Sequence, residues 1–109
     1  MAIYNTAVTS SNTTLTSGSG DRAITTLIFC NTSTYVPATP TLNQSLLYVY
    51  AVPSGGTAGL GNIIVNGLPI PAGETVSFDQ EKMVLSNNDT IVAYASATGL
   101  TATVSTLPV

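Results

Sequence analysis

Two basic and five acidic side chains are the whole stock from which acid–base or electrostatic chemistry could be drawn: Arg22, Lys82, Asp21, Glu74, Asp79, Glu81 and Asp89. Beside them stands one thiol, Cys30, with no His and no Trp. A Ser–His–Asp or Cys–His arrangement needs an imidazole to take the nucleophile's proton, so neither can be built. Zinc sites draw on Cys and His and fail for the same reason. A carboxylate pair for glycoside hydrolysis is formally available among the five acids. Such pairs work in clefts furnished with aromatics for sugar stacking, and this chain has no Trp.

The densest polar cluster is Asp79-Gln80-Glu81-Lys82. A calcium ion takes about six to eight oxygens. Asp79, Glu81 and Asp89 could offer some, but no EF-hand spacing accompanies them. The cluster reads as a solvated turn in which Lys82 partly offsets the acids. Asp21-Arg22 reads as a turn carrying a surface ion pair worth less than ~1 kcal/mol. Cys30 closes the run Leu27-Ile28-Phe29-Cys30 with no His or Lys near it in sequence to lower its pKa, so it reads as a small buried hydrophobe. Being alone, it makes no intramolecular disulfide. The expectation is a chain that is not an enzyme, with no catalytic residue, no metal and no cofactor.

Charged residues make up 6% of the chain, against about 25% in average soluble domains. The net charge is −3, which repels a phosphate backbone, and nucleic-acid binding needs clustered Lys and Arg. The longest apolar run, Leu46 to Val52, is far short of the ~20 residues of a membrane-spanning helix. The opening Met1-Ala2-Ile3-Tyr4-Asn5-Thr6 lacks the basic and apolar regions of a secretory signal. Four Asn-X-Ser/Thr triplets, at Asn12, Asn31, Asn43 and Asn88, carry no weight in a sequence so rich in Asn, Ser and Thr. No nucleic acid and no membrane are expected as partners.

The elements that position these residues are β throughout. No window holds helical apolar spacing over ten or more residues, and turn residues recur roughly every 8–12 positions, the pattern of a sandwich or barrel. Strands are predicted over 2–9, 12–16, 23–31, 45–52, 62–70, 83–85, 90–97 and 100–107, and a turn at Ala72-Gly73 leads into 74–78, where Val76 and Phe78 face inward. Residues 23–31 are apolar on both faces toward their C-terminal end, which predicts a central strand covered on both sides. Residues 1–109 are expected to form one all-β domain: an antiparallel two-sheet β-sandwich, jelly-roll or immunoglobulin-like, of about eight strands.

Two loops carry apolar side chains that a small core has no room for. Residues 32–44 hold Tyr35, Val36 and Leu42, with Pro37 and Pro40 keeping their predecessors extended. Residues 53–61 hold Leu60 among four glycines, a flexible stretch with no phosphate-binding Gly-Lys-Ser/Thr ending. Tyr35, Val36, Leu42 and Leu60 are therefore the candidate interface. Interface cores are depleted of Lys, Glu and Asp, so the charge-poor composition points the same way, toward an oligomer.

Nearly the full length resembles a group of small virion structural proteins of marine tailed phages, chiefly the contractile-tailed cyanophages. The resemblance is carried by Ala2-Ile3-Tyr4-Asn5-Thr6-Ala7-Val8, by Ala23-Ile24-Thr25-Thr26-Leu27-Ile28-Phe29-Cys30-Asn31-Thr32 and by Ile70-Pro71-Ala72-Gly73-Glu74-Thr75-Val76. Met83-Val84-Leu85-Ser86-Asn87-Asn88-Asp89 and Thr103-Val104-Ser105-Thr106-Leu107-Pro108-Val109 belong to it too. These are framework strands and turns, and no functional site carries over with them. The resemblance implies a component of the virion surface, made in the host cytoplasm. Its partners would be the major capsid protein or other virion subunits, and it would be a homo-oligomer, a trimer foremost. A capsid decoration or cement protein is the leading expectation. A tail, neck or baseplate subunit is the alternative, and a carbohydrate-binding module stacking sugars on tyrosines is a third.

Overall fold

A computed structural model describes residues 2–16, 20–78, 83–97 and 99–109. The described residues form nine strands and no helix: β1 (Ala2–Val8), β2 (Thr13–Thr16), β3 (Arg22–Asn31), β4 (Ser45–Val52), β5 (Ile63–Ile70), β6 (Thr75–Phe78), β7 (Met83–Leu85), β8 (Thr90–Ala95) and β9 (Leu100–Pro108). One sheet runs β1-β9-β3-β6, with β7 also on β3, and the other runs β2-β8-β4-β5. Every pairing is antiparallel.

The pairings are nested. The first strand pairs with the last, β2 with β8, β3 with β6 and β7, and β4 with β5. A single long hairpin, folded so that successive strands alternate between two sheets, gives this order, and it is the jelly roll. The immunoglobulin-like order, in which the first two strands share a sheet, is not the one found. The ninth strand arises because β6 and β7 lie end to end along β3: Cys30 to Leu27 pair with β6, and Ile24 to Arg22 with β7.

Alternation sets the core. On β9, Leu100, Ala102, Val104 and Thr106 are buried, while Thr101, Thr103 and Ser105 point outward. On β8 the inward row is Ile91, Ala93 and Ala95. Phe29 is fully buried at the centre and meets Phe78 edge-on, ring centroids 6.1 Å apart. Burying one such side chain stabilises the fold by about 1.5–3 kcal/mol, and the alternating small Ala rows let the large ones interdigitate.

Three expectations are corrected. Strand β3 is central in its sheet but covered on one side only, so Ile28 and Cys30 face outward and are half-buried, and Cys30 is not a core residue. Arg22 makes no surface ion pair: its side chain turns inward and is buried, while Asp21 stays exposed. The loop at 53–61 is pinned by hydrogen bonds. Asn62 Oδ1 accepts from the Gly59 N–H at 3.0 Å, its Nδ2 donates to Thr57 O at 2.9 Å, and Asp89 Oδ1 accepts from the Ser54 N–H at 2.8 Å. The predicted turns at Ser17-Gly18-Ser19 and Asp79-Gln80-Glu81-Lys82 lie outside the described residues.

Candidate interaction surface

Each strand of a jelly roll runs from one end of the sandwich to the other, so its loops fall into two sets. Loops 32–44 and 71–74, with residues 96–97 and Gly99, gather at one end, and loops 53–62 and 86–89 at the other. Strand β4 separates the two, since 32–44 enters it and 53–62 leaves it. Tyr35 and Leu42 are about half exposed, Val36 is half-buried and Leu60 is 81% exposed. The four predicted contact residues therefore do not converge: Tyr35, Val36 and Leu42 share one end and Leu60 occupies the opposite one. The molecule measures 48 Å along its longest axis, and they cannot serve a single small contact.

What holds the first end is Asn31, the last residue of β3. Its side chain is fully buried and fully partnered. Nδ2 donates to Asn43 O and to Ile70 O, both at 2.9 Å, and Oδ1 accepts from the Ser33 N–H at 3.0 Å. The backbone of Asn31 adds bonds to Glu74 and Gly73. Gly99 closes over this clasp at φ 108°, where a Cβ would lie 2.5 Å from Ser33 Oγ. Loop 32–44 is thus held as a fixed platform.

Charge occupies neither broad flank among the described residues. Among the described residues, the outward positions of the β1-β9-β3-β6/β7 sheet are Ile3, Asn5 and Ala7, then Thr101, Thr103, Ser105 and Leu107, then Ala23, Ile28 and Cys30, then Thr75, Ser77 and Val84. The other flank is built on Leu46, Tyr48, Tyr50 and Val52 of β4 with Val92 and Tyr94 of β8. Asp21 and Asp89 sit in loops at one end, Glu74 in a loop at the other, and Arg22 points inward.

The first flank holds an apolar band that no single segment announces. Leu107 pairs with Ala23, Ala23 pairs with Val84, and Ile3 lies diagonal to Leu107 through its partner Ser105. Ile3 is 67% exposed, Leu107 46% and Val84 68%. One row of apolar side chains thus crosses four strands in water, and contiguous exposed patches of this kind mark contact sites.

On the second flank the tyrosines pack on one another. Tyr48 stacks on its cross-strand neighbour Tyr94 at 4.5 Å between centroids, with 10° between ring planes, and Tyr50 lies 6.1 Å from Tyr94. Gly67, at φ 79° in a bulge of β5, brings its backbone against the Tyr48 ring, where a Cβ would sit 3.5 Å away. A hydrogen bond with Tyr50, desolvation and the cost of a second phenolate beside Tyr50, in that order, hold the Tyr94 hydroxyl above the ordinary phenol pKa. Ring faces spent on each other are not open to stack on a sugar.

Neither chemistry nor ligation gathers elsewhere. Among the described residues no group of three or more His, Cys, Asp or Glu comes together. Asp79 and Glu81 lie outside them, and the Asp89 carboxylate is taken by the backbone N–H groups of Ser54 and Ser86, at 2.8 and 2.9 Å. A cavity of about 380 Å³ opens at the seam between β5 and β6/β7, lined by Leu27, Phe29, Val49, Ile64, Phe78 and Met83 among others. Its lining side chains offer no polar group to orient a ligand. Compared with protein-family models, curated proteins and solved structures, the chain matches none of them.

Proposed function

We propose that this chain is a structural protein of a phage virion that decorates the outside of the head shell and stabilises it by bridging major capsid subunits. The observation that carries this reading is the distribution of charge: among the described residues both flanks of the sandwich are free of it, and one bears the Ile3–Leu107–Ala23–Val84 band. A solvated monomer of net charge −3 gains nothing from such flanks, whereas a subunit packed among others desolvates no unpaired charge when they are covered. The near full-length resemblance to small virion proteins supports the same reading. The fold is compatible with it and no more, because jelly rolls serve capsids, lectins and enzymes alike.

The mechanism is mass action. A protein that binds the assembled lattice and not its free subunits shifts the equilibrium toward the lattice. Copy number in purified particles tests the location: decoration predicts hundreds of copies, whereas a tail, neck or baseplate subunit is present in a few dozen or fewer. Absence from purified particles would end the virion reading altogether. The carbohydrate-binding alternative loses the support of the three stacked tyrosines, leaving Tyr4 and Tyr35 as the exposed rings, and no binding on a glycan array is the expected result.

A further inference from the structure

A sandwich has four edges, and proteins protect such edges with short strands, bulges, prolines or charges, because an unpaired ladder recruits another strand. Three edges here are protected. Strand β2 has four residues and a register break between Thr14 and Thr16. Strand β5 carries two register breaks, Gly67 and Pro69. The fourth position of the first sheet is divided between β6 and β7, of four and three residues.

Strand β1 has none of these devices. It pairs with β9 over seven consecutive residues, Ala2 to Val8, without a register break. Its sequence, Ala-Ile-Tyr-Asn-Thr-Ala-Val, contains no charge, no Pro and no Gly. Ile3 stands exposed on this edge at the end of the apolar band.

We propose that two copies of the chain join edge to edge through β1, antiparallel across a two-fold axis, so that the two β1-β9-β3-β6/β7 sheets become one continuous sheet. A second copy is the fitting occupant for three reasons. The chain is acidic overall, yet β1 and the outward positions around it carry no charge, so two copies meet there without opposing like charges. The strand is self-complementary: a two-fold normal to the sheet keeps each residue on its own face, so only positions of the same parity can oppose one another. The register that uses all seven residues sets Asn5 opposite Asn5 of the second copy, and each Ile3 opposite an Ala7. Pairing also terminates, because it consumes the one unprotected edge of each copy and leaves three protected ones, giving a closed pair. The assembly is two-fold, unlike the trimer that the virion resemblance leads one to expect. It rests on the edges alone and holds whether or not the chain belongs to a virion.

The test places charge at the axis. Light scattering on the unmodified chain is expected to give twice the 11.1 kDa chain mass. The variants N5K and N5D, each opposing like charges across the axis, should weaken the pair by about fivefold or more. Mixing the two variants should restore it, a result that misfolded chains cannot give. S77K, on the opposite edge, should leave the pair intact. Independently of charge, N5C combined with C30S should oxidise to a covalent pair, and S77C combined with C30S should not. A single-chain or three-chain mass for the unmodified protein, a pair indifferent to N5K, or failure of the mixture to recover would each overturn the proposal.

Discussion

Strand β3 carries a buried polar side chain at each of its ends, and the two are satisfied differently. Asn31 spends a neutral amide on three bonds, to Asn43 O, Ile70 O and the Ser33 N–H, so that both of its polar atoms are partnered. Arg22 buries a cation that meets only carbonyl oxygens, Gly20 O at 3.1 Å through Nη1 and Asp89 O at 3.0 Å through Nη2, and its Nε has no partner. Each residue ties loops of one end to the strand. The amide achieves this with its polarity compensated, while the guanidinium suffers desolvation that two carbonyls only partly offset. One end is therefore fixed by a fitted bond set, and the other is held in spite of the group that holds it.

Urea or thermal unfolding of single variants tests that contrast. Asn31→Ala should have the largest effect, about 3 kcal/mol of destabilisation, because two carbonyls and one amide lose their partner together. Gly99→Ala follows at about 2 kcal/mol, since the new methyl group meets Ser33 Oγ on a backbone that L-residues rarely adopt. Arg22→Met should change stability by no more than about 1 kcal/mol, as the lost bonds are offset by relief of a buried charge. If Arg22→Met proves as damaging as Asn31→Ala, the two ends are equivalent and the contrast fails.

The smallest effect is a control lying mid-sheet, away from both clasps. Tyr94 should ionise above the ordinary phenol range in an ultraviolet titration, and Tyr50→Phe should bring it down. Because its folded pKa is raised, the neutral form is favoured in the native state. That contribution to stability is present below about pH 10 and is lost as the pH rises through the folded value. In Asn31→Ala and Arg22→Met chains the elevated titration should persist wherever the sheet survives.

The strands were legible in the sequence, because alternation on 100–107 and 90–95 leaves one arrangement with a dry face. The double-sided apolar pattern of 23–31 was legible too, but it suggested burial within one chain, where the sandwich supplies only two layers and leaves the outer rows bare. Arg22 was misplaced because Asp21 is its neighbour in sequence, while one of the two carbonyls that hold it belongs to Asp89, 67 positions on, in the turn that leaves β7 where β7 pairs with β3. Asn31 gave little local sign, since only the Ser33 N–H is near it in sequence and the two carbonyls that its amide nitrogen reaches lie 12 and 39 positions away. The candidate interface was sought in long loops. The apolar band had to be assembled from β1, β9, β3 and β7, and which strand forms an edge is a property of topology that periodicity does not encode.

On the proposed function, the flanks that are uncharged among the described residues are covered by other virion subunits. Electron cryomicroscopy of the purified particle, at a resolution that traces strands, tests it most directly. The jelly roll is expected on the outer surface of the head, with Ile3, Leu107 and Val84 turned into a subunit contact. A particle in which the sandwich is missing, or in which that band faces solvent on every copy, would contradict it.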